Sequence, residues 1–243
     1  MSYVLIIGAG SDIAKAAARE YARNGHDIYL AARNTNAIED FSKDVAIRSG
    51  RNVRCLHLDI LDYNSHQSFY DNLEEKPEGV ISAVGYLGDQ QLAQNDFSEA
   101  QTIINTNYTG VTSLLNIIAN DFEQRKNGFI IGISSVAGDR GRKSNYIYGS
   151  AKAGFTAYLS GLRNRLHASN VQVLTVKPGF VDTQMTRGMD LPKKLTAQPE
   201  TVAKEIYRAH KKGKNIIYTK GIWKWIMLII KNIPEFQFKK MDI

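Results

Sequence analysis

The chain is 243 residues long, 43% hydrophobic, with a formal charge of +7 and one cysteine, Cys55. That length suits one α/β domain with a sizeable core, and a lone cysteine in an apolar run excludes a disulfide framework and fits a reducing compartment. The charge is lopsided: residues 204–243 hold ten Lys and Arg against three Asp and Glu, so the first 203 are neutral overall and the basic end suits an anionic partner.

Val4-Leu5-Ile6-Ile7 follows Met1-Ser2-Tyr3 directly, without a basic flank or a long apolar core, and reads as a first strand rather than a signal peptide. The apolar run at 226–230 is far short of the roughly 20 residues a spanning helix needs. Short β-branched runs then alternate with longer helical patterns, the arrangement of a parallel sheet covered on both faces. Strands are expected at 4–7, 28–32, 53–58, 79–84, 129–133, 171–176 and 215–218, and helices at 13–23, 35–49, 64–75, 97–122, 145–166 and 199–212.

Gly8-Ala9-Gly10-Ser11-Asp12-Ile13-Ala14 links the first strand to the first helix. Glycines there let the backbone approach a pyrophosphate, and the helix N-terminus favours its charge. After the second strand stands Ala32-Arg33-Asn34, where a guanidinium can pair with a ribose 2′-phosphate, which favours NADP(H) over NAD(H). Asp59-Ile60 ends the third strand; the Asp59 carboxylate can take an adenine amino group or cap the next turn.

Tyr148 and Lys152 stand four apart on a predicted helix, so a phenol and an ammonium share one face, and Ser135 precedes Tyr148 by thirteen residues. An ammonium held near a phenol favours the phenolate and lowers its pKa from about 10, which makes Tyr148 a usable acid or base. These candidates fall just past strand C-terminal ends, the edge where open α/β sheets bind ligands.

In this order the motifs resemble those of the single-domain short-chain dehydrogenase/reductase family over nearly the whole chain. The resemblance implies a Rossmann-type doubly wound parallel sheet of about seven strands, with 1–220 as the NADP(H)-binding domain and 221–243 as its basic, amphipathic C-terminal extension. It also implies that Ser135, Tyr148, Lys152 and Asn107 are catalytic, with Lys152 holding the nicotinamide ribose and Asn107 positioning a water that connects Lys152 to solvent. Ser82-Ala83-Val84-Gly85 matches the family's fourth-strand motif, and Pro178, Gly179, Val181 and Thr183 match the loop that holds the nicotinamide amide. Departures are Asp12 and Ala14 where the family has glycines, Gly10 as an added one, and Ser82 for asparagine; residue 12 is expected to act through its backbone alone. The turn at 11–13, the loop at 183–200 and the tail at 221–236 resemble the bacterial reductases of polyprenylphosphoryl keto-pentoses. That resemblance points to a lipid-linked carbonyl substrate.

The expected activity is NADPH-dependent reduction of a carbonyl to an alcohol, or the reverse, in a cytoplasmic homodimer or homotetramer. A reductase of small carbonyl or acyl substrates and a nonenzymatic NADP(H)-responsive protein stay open beside it. In the tail, Trp223, Ile226, Met227 and Ile230 share one helical face and Lys224 and Lys231 another. Packing on the protein and peripheral contact with the inner face of a membrane both fit that pattern. His26, His57, His66, His167 and His210 have no common metal-ligand spacing, so no metal is expected, and the basic end lacks a nucleic-acid reader module.

Overall fold

Strands Tyr3–Ile7 (β1), Asp27–Ala32 (β2), Val53–His57 (β3), Gly79–Ser82 (β4), Gly128–Ile133 (β5), Val171–Pro178 (β6) and Ile216–Thr219 (β7) pair in parallel as one sheet, in the order β3-β2-β1-β4-β5-β6-β7. The structure, a computed structural model, describes residues 2–242. After β3 the chain crosses back to lay β4 beside β1, and this reversal of winding opens a crevice beyond the strand C-termini.

The helices are Asp12–Arg23 (α1), Asn36–Ser49 (α2), His66–Asp71 (α3), Gln90–Ala93 (α4), Phe97–Ile104 (α5), Gly110–Arg125 (α6), Tyr146–Leu166 (α7), Pro199–Lys211 (α8), Ile222–Asn232 (α9) and Glu235–Phe238 (α10). Strand side chains alternate between two cores, as the twofold period of a strand requires. Val4 and Ile6 join Ala17, Tyr21, Val202 and Ile206 of α1 and α8 on one face. Leu5 and Ile7 join Leu114, Phe122, Phe155 and Leu159 of α6 and α7 on the other. Burial on both faces explains why the strands read as continuous apolar runs rather than alternating ones.

Two helix expectations need correction. The helix expected at 97–122 is broken by a π-helical turn at Asn105–Thr109, which separates α5 from α6 and carries Asn107 fully buried. A β-carbon on Gly110, just after that turn, would lie 2.2 Å from the Ile60 carbonyl oxygen, so the close approach needs glycine. The helix expected at 64–75 is shorter: a 3-10 turn at Tyr63–Ser65 leads into α3, which ends at Asp71, six residues before Pro77.

The tail closes over the far end of the sheet. Trp223 and Met227 of α9 are buried against Val136, Phe180, Leu195 and Tyr218. Arg140 clamps the end of that helix, donating to the carbonyls of Ile230 (2.6 Å) and Ile233 (2.7 Å) and to Glu235 (2.9 Å), and it also covers the Phe238 ring. A guanidinium is well suited to the unsatisfied carbonyls and negative dipole of a helix C-terminus.

Candidate active site

Past the ends of β1, β4, β5 and β6 lies a cavity of about 970 Å³. Every candidate site residue named from the sequence lines it, Asn107 excepted.

At its β1 end Gly8 takes φ +80°, and a β-carbon there would stand 2.9 Å from Ala83 C and Val84 N. Both the backbone conformation and the space therefore require glycine, and the turn is pinned by the Gly8 and Ala9 N–H groups donating to Ala31 O, each at 3.0 Å. A side chain at Gly10 would meet nothing within 4 Å, which leaves the turn open to a ligand. Ser11 caps α1, its Oγ accepting from Ala14 N at 3.2 Å. The Asp12 carboxylate turns out of the turn and accepts from Gln184 N at 2.8 Å, and with Ser11 N donating to Gly8 O at 3.0 Å, the main-chain N–H groups of residues 12 and 13 and the positive helix end are what the turn can offer a phosphate.

At the β2 and β3 ends Arg33 is exposed and makes no ion pair among the described residues, while its carbonyl accepts from the His57 ring at 3.0 Å. Asn34 accepts from Ala37 N at 3.3 Å, which orders the start of α2. Asp59 Oδ1 accepts from Leu61 N at 3.0 Å, so Asp59 caps the turn after β3 and still faces the cavity beside Ile60.

The reacting end is built from β5, α7 and β6. Ser135 leaves β5 in extended backbone, with its Oγ accepting from Ala137 N at 3.1 Å. Tyr148 and Lys152 stand one turn apart on α7 and line the same wall. Burial pushes the Tyr148 phenol up to about 12, with the Ser135 hydroxyl opposing the shift. Burial likewise brings Lys152 down to about 7.

The expected pull of Lys152 is not among the causes of the phenol's shift: its Nζ donates to the carbonyls of Val84 and Ile133, each at 3.2 Å, and lies 5.8 Å from the Tyr148 ring centre. Asn107 stands behind the cavity wall. Its Nδ2 donates to Tyr86 O (2.6 Å) and Ile103 O (2.8 Å), and its Oδ1 accepts from Tyr86 N (3.2 Å). The side chain braces the loop after Ala83, Val84 and Gly85, with both Nδ2 donors used and one acceptor site left on Oδ1.

Pro178 ends β6, and Gly179 lies flat under the Trp223 indole, where a β-carbon would come within 1.9 Å of the ring. Val181 bridges to Ala197, and Thr183 opens the 3-10 turn at Gln184–Thr186. Arg142, Asn145 and Met185 also line the cavity and were not singled out in the sequence. Their signal was positional only, since 142 and 145 fall between Ser135 and Tyr148 and 185 follows Thr183.

The sequence model of the short chain dehydrogenase family matches residues 2–194. The chain belongs to the short-chain dehydrogenase family. This short-chain dehydrogenase is 35% identical over 241 residues to an uncharacterised oxidoreductase of Mycobacterium tuberculosis, covering 98% of this chain and 96% of that one. It is 27% identical over 188 residues to an NADP-dependent 3-hydroxy acid dehydrogenase of Schizosaccharomyces pombe, covering 75% and 73% of the two chains. Among solved structures, a short-chain dehydrogenase from Sphingobium yanoikuyae in complex with NADPH superposes with a TM-score of 0.83 over 97% of each chain at 23% identity, a likeness of fold.

The Gly8 cradle, the open space at Gly10 and the buried Lys152 fit a nicotinamide dinucleotide extended between the β2 and β6 ends of the crevice. In the nucleotide-free protein, Lys152 makes stability depend on pH. Its folded pKa lies below its unfolded value of 10.5, so the unfolded chain binds more protons between the two, and stability rises as pH increases from 7. We expect chemical denaturation to show the wild type gaining about 2 kcal/mol on Lys152→Met between pH 7 and 9; parallel pH profiles would refute the low pKa.

Proposed function

We propose that this oxidoreductase interconverts a carbonyl and an alcohol by hydride transfer with NADP(H). The reading rests on one observation: Ser135, Tyr148 and Lys152 line the same cavity as the glycine turn and Gly179. Bound there, the nicotinamide supplies the hydride to the substrate carbon or takes it away.

In reduction, Tyr148 gives its proton to the substrate oxygen and Ser135 donates a hydrogen bond to that oxygen as its charge develops. Lys152, near half charge at neutral pH, returns a proton to the phenolate. The buried lysine thus serves the proton transfer as a proton source rather than by setting the resting phenol pKa. Asn107, on the π turn behind the cavity wall, positions the water that connects Lys152 to solvent. In oxidation each proton step reverses.

NADP(H) is favoured because the unpaired Arg33 guanidinium suits a 2′-phosphate. The NADP dependence of the Schizosaccharomyces relative and the NADPH in the Sphingobium structure agree with this choice.

A lipid-linked substrate is favoured by the outward face of α9. Trp225 is 63% and Ile229 68% exposed, with Ile222, Leu228 and Phe236 exposed beside them. Lys224 and Lys231 border this face, and Lys239 and Lys240 follow it, so an anionic bilayer matches it in both polarity and charge. Its inward face packs beside Phe180, which lines the cavity. No described helix is long and apolar enough to cross a membrane, so this contact is peripheral.

Tyr148→Phe is expected to lower kcat at least 1,000-fold with NADPH binding retained; turnover at the wild-type rate removes Tyr148 as the acid. Arg33→Ala is expected to raise the NADPH Kd about tenfold with the NADH Kd unchanged, by fluorescence titration. Equal effects on both would reject the 2′-phosphate role. In sedimentation with vesicles containing anionic lipid, the full chain should pellet and Trp225→Ser/Ile229→Ser should stay in the supernatant. A wild type that stays in the supernatant, or self-associates through this face instead, removes the bilayer.

A further inference from the structure

The cavity contains a positive charge that the proton transfer does not use. Arg142 sits on the loop joining Ser135 to α7 and lines the cavity with both Ser135 and Tyr148. Its Nη2 donates to the thioether sulfur of Met227 at 3.2 Å, and its Nε is buried with no acceptor at all. A thioether is a weak acceptor, whereas a guanidinium offers five donors.

The acids nearby are already engaged. Asp139, on the same loop, is taken by Lys177 at 2.5 Å and by the Tyr218 hydroxyl at 2.7 Å. Glu235 pairs with Arg140. Arg142 is thus hydrogen-bonded to none of the carboxylates or carbonyls that its neighbour Arg140 collects, and burial lowers its pKa against the opposing charge of Asp139. Three residues on, Asn145 also lines the cavity with its buried Oδ1 unpartnered. Oxygen and nitrogen of that amide are interchangeable by a flip, so it can serve as donor or acceptor.

A buried polar atom left unpaired costs free energy, more so when charged, and an unpaired guanidinium Nε with an unpaired amide three residues on, both in the lining of one cavity, indicates a group that arrives with the ligand. The cofactor's phosphates do not meet this need, because the Gly8 turn and Arg33 lie at the β1 and β2 ends while Arg142, on the loop after Ser135, abuts Met227 of α9. We propose that Arg142, with Asn145, is the substrate's anion subsite: the carbonyl compound carries a carboxylate or a phosphate that pairs with this guanidinium. The planar fork of arginine favours bidentate pairing with either oxyanion. The proposal rests on the reductase reading for the word substrate, but the anion site itself does not need turnover.

The test is a calorimetric titration of the protein saturated with NADP+, so that the Gly8 and Arg33 end is filled. Inorganic phosphate is titrated in one arm and acetate in the other, to separate the two sources of the charge. We expect saturable binding of at least one anion, weakened at least tenfold by Arg142→Gln, partly restored in Arg142→Lys, and kept within twofold in Met227→Leu, which removes the sulfur and preserves the packing. NADPH affinity within twofold of wild type in Arg142→Gln reports an intact fold. No saturable binding of either anion to the wild type, or equal binding by Arg142→Gln, overturns the subsite. Failure of the reductase reading would appear separately, as wild-type turnover by Tyr148→Phe.

Discussion

A lysine ammonium buried at the end of a parallel sheet has only strand-end carbonyls to hold its charge, and Lys152 takes those of Val84 and Ile133. The rest of the site depends on this constraint. Lys152 comes from the helix that passes the ends of β4 and β5, which places Tyr148 one turn earlier and within hydrogen-bonding reach of Ser135 after β5. The loop carrying the Val84 carbonyl must be rigid, and Asn107 makes it so by bonding both main-chain groups of Tyr86 from a π-helical turn. Burial with only neutral acceptors brings the Lys152 pKa down to about 7.

The other end of the chain is tied to the same wall. Asp139 holds Lys177 of β6 and Tyr218 of β7, and Arg140 closes the end of α9. Trp223 covers Gly179, so the residue after β6 and the tail cannot move independently. Arg142 follows these two residues on the same loop. A single short segment thereby joins the serine and the tyrosine to the C-terminal helix, whose inward face packs beside Phe180 of the cavity lining.

The mechanical consequence of Asp12 is similar. A carboxylate facing into the glycine turn would repel an anion there, yet this one is spent on Gln184 N, linking the turn to the loop after β6. The substitution of a family glycine by aspartate is compatible with the turn because the charge is carried to its rim.

Local features were legible in the sequence: strands as β-branched runs, Gly8 at a strand-to-helix turn, and Tyr148 and Lys152 four apart on one helix face. Each follows from a period or a backbone preference acting within a few residues, and the alternation of strands and helices determined the doubly wound sheet. Tertiary structure alone decided the rest, because it depends on partners far apart in the chain. The break at Asn105–Thr109 reflects Asn107 reaching Tyr86, and the direction of the Asp12 carboxylate reflects a loop more than 170 residues away. The same holds for α9: the sequence determined that it is amphipathic, but only the fold decided that Trp223 and Met227 face inward while Trp225 and Ile229 stay exposed. Arg142 shows the limit most plainly, since an unpaired guanidinium is defined by the acceptors that folding fails to bring to it.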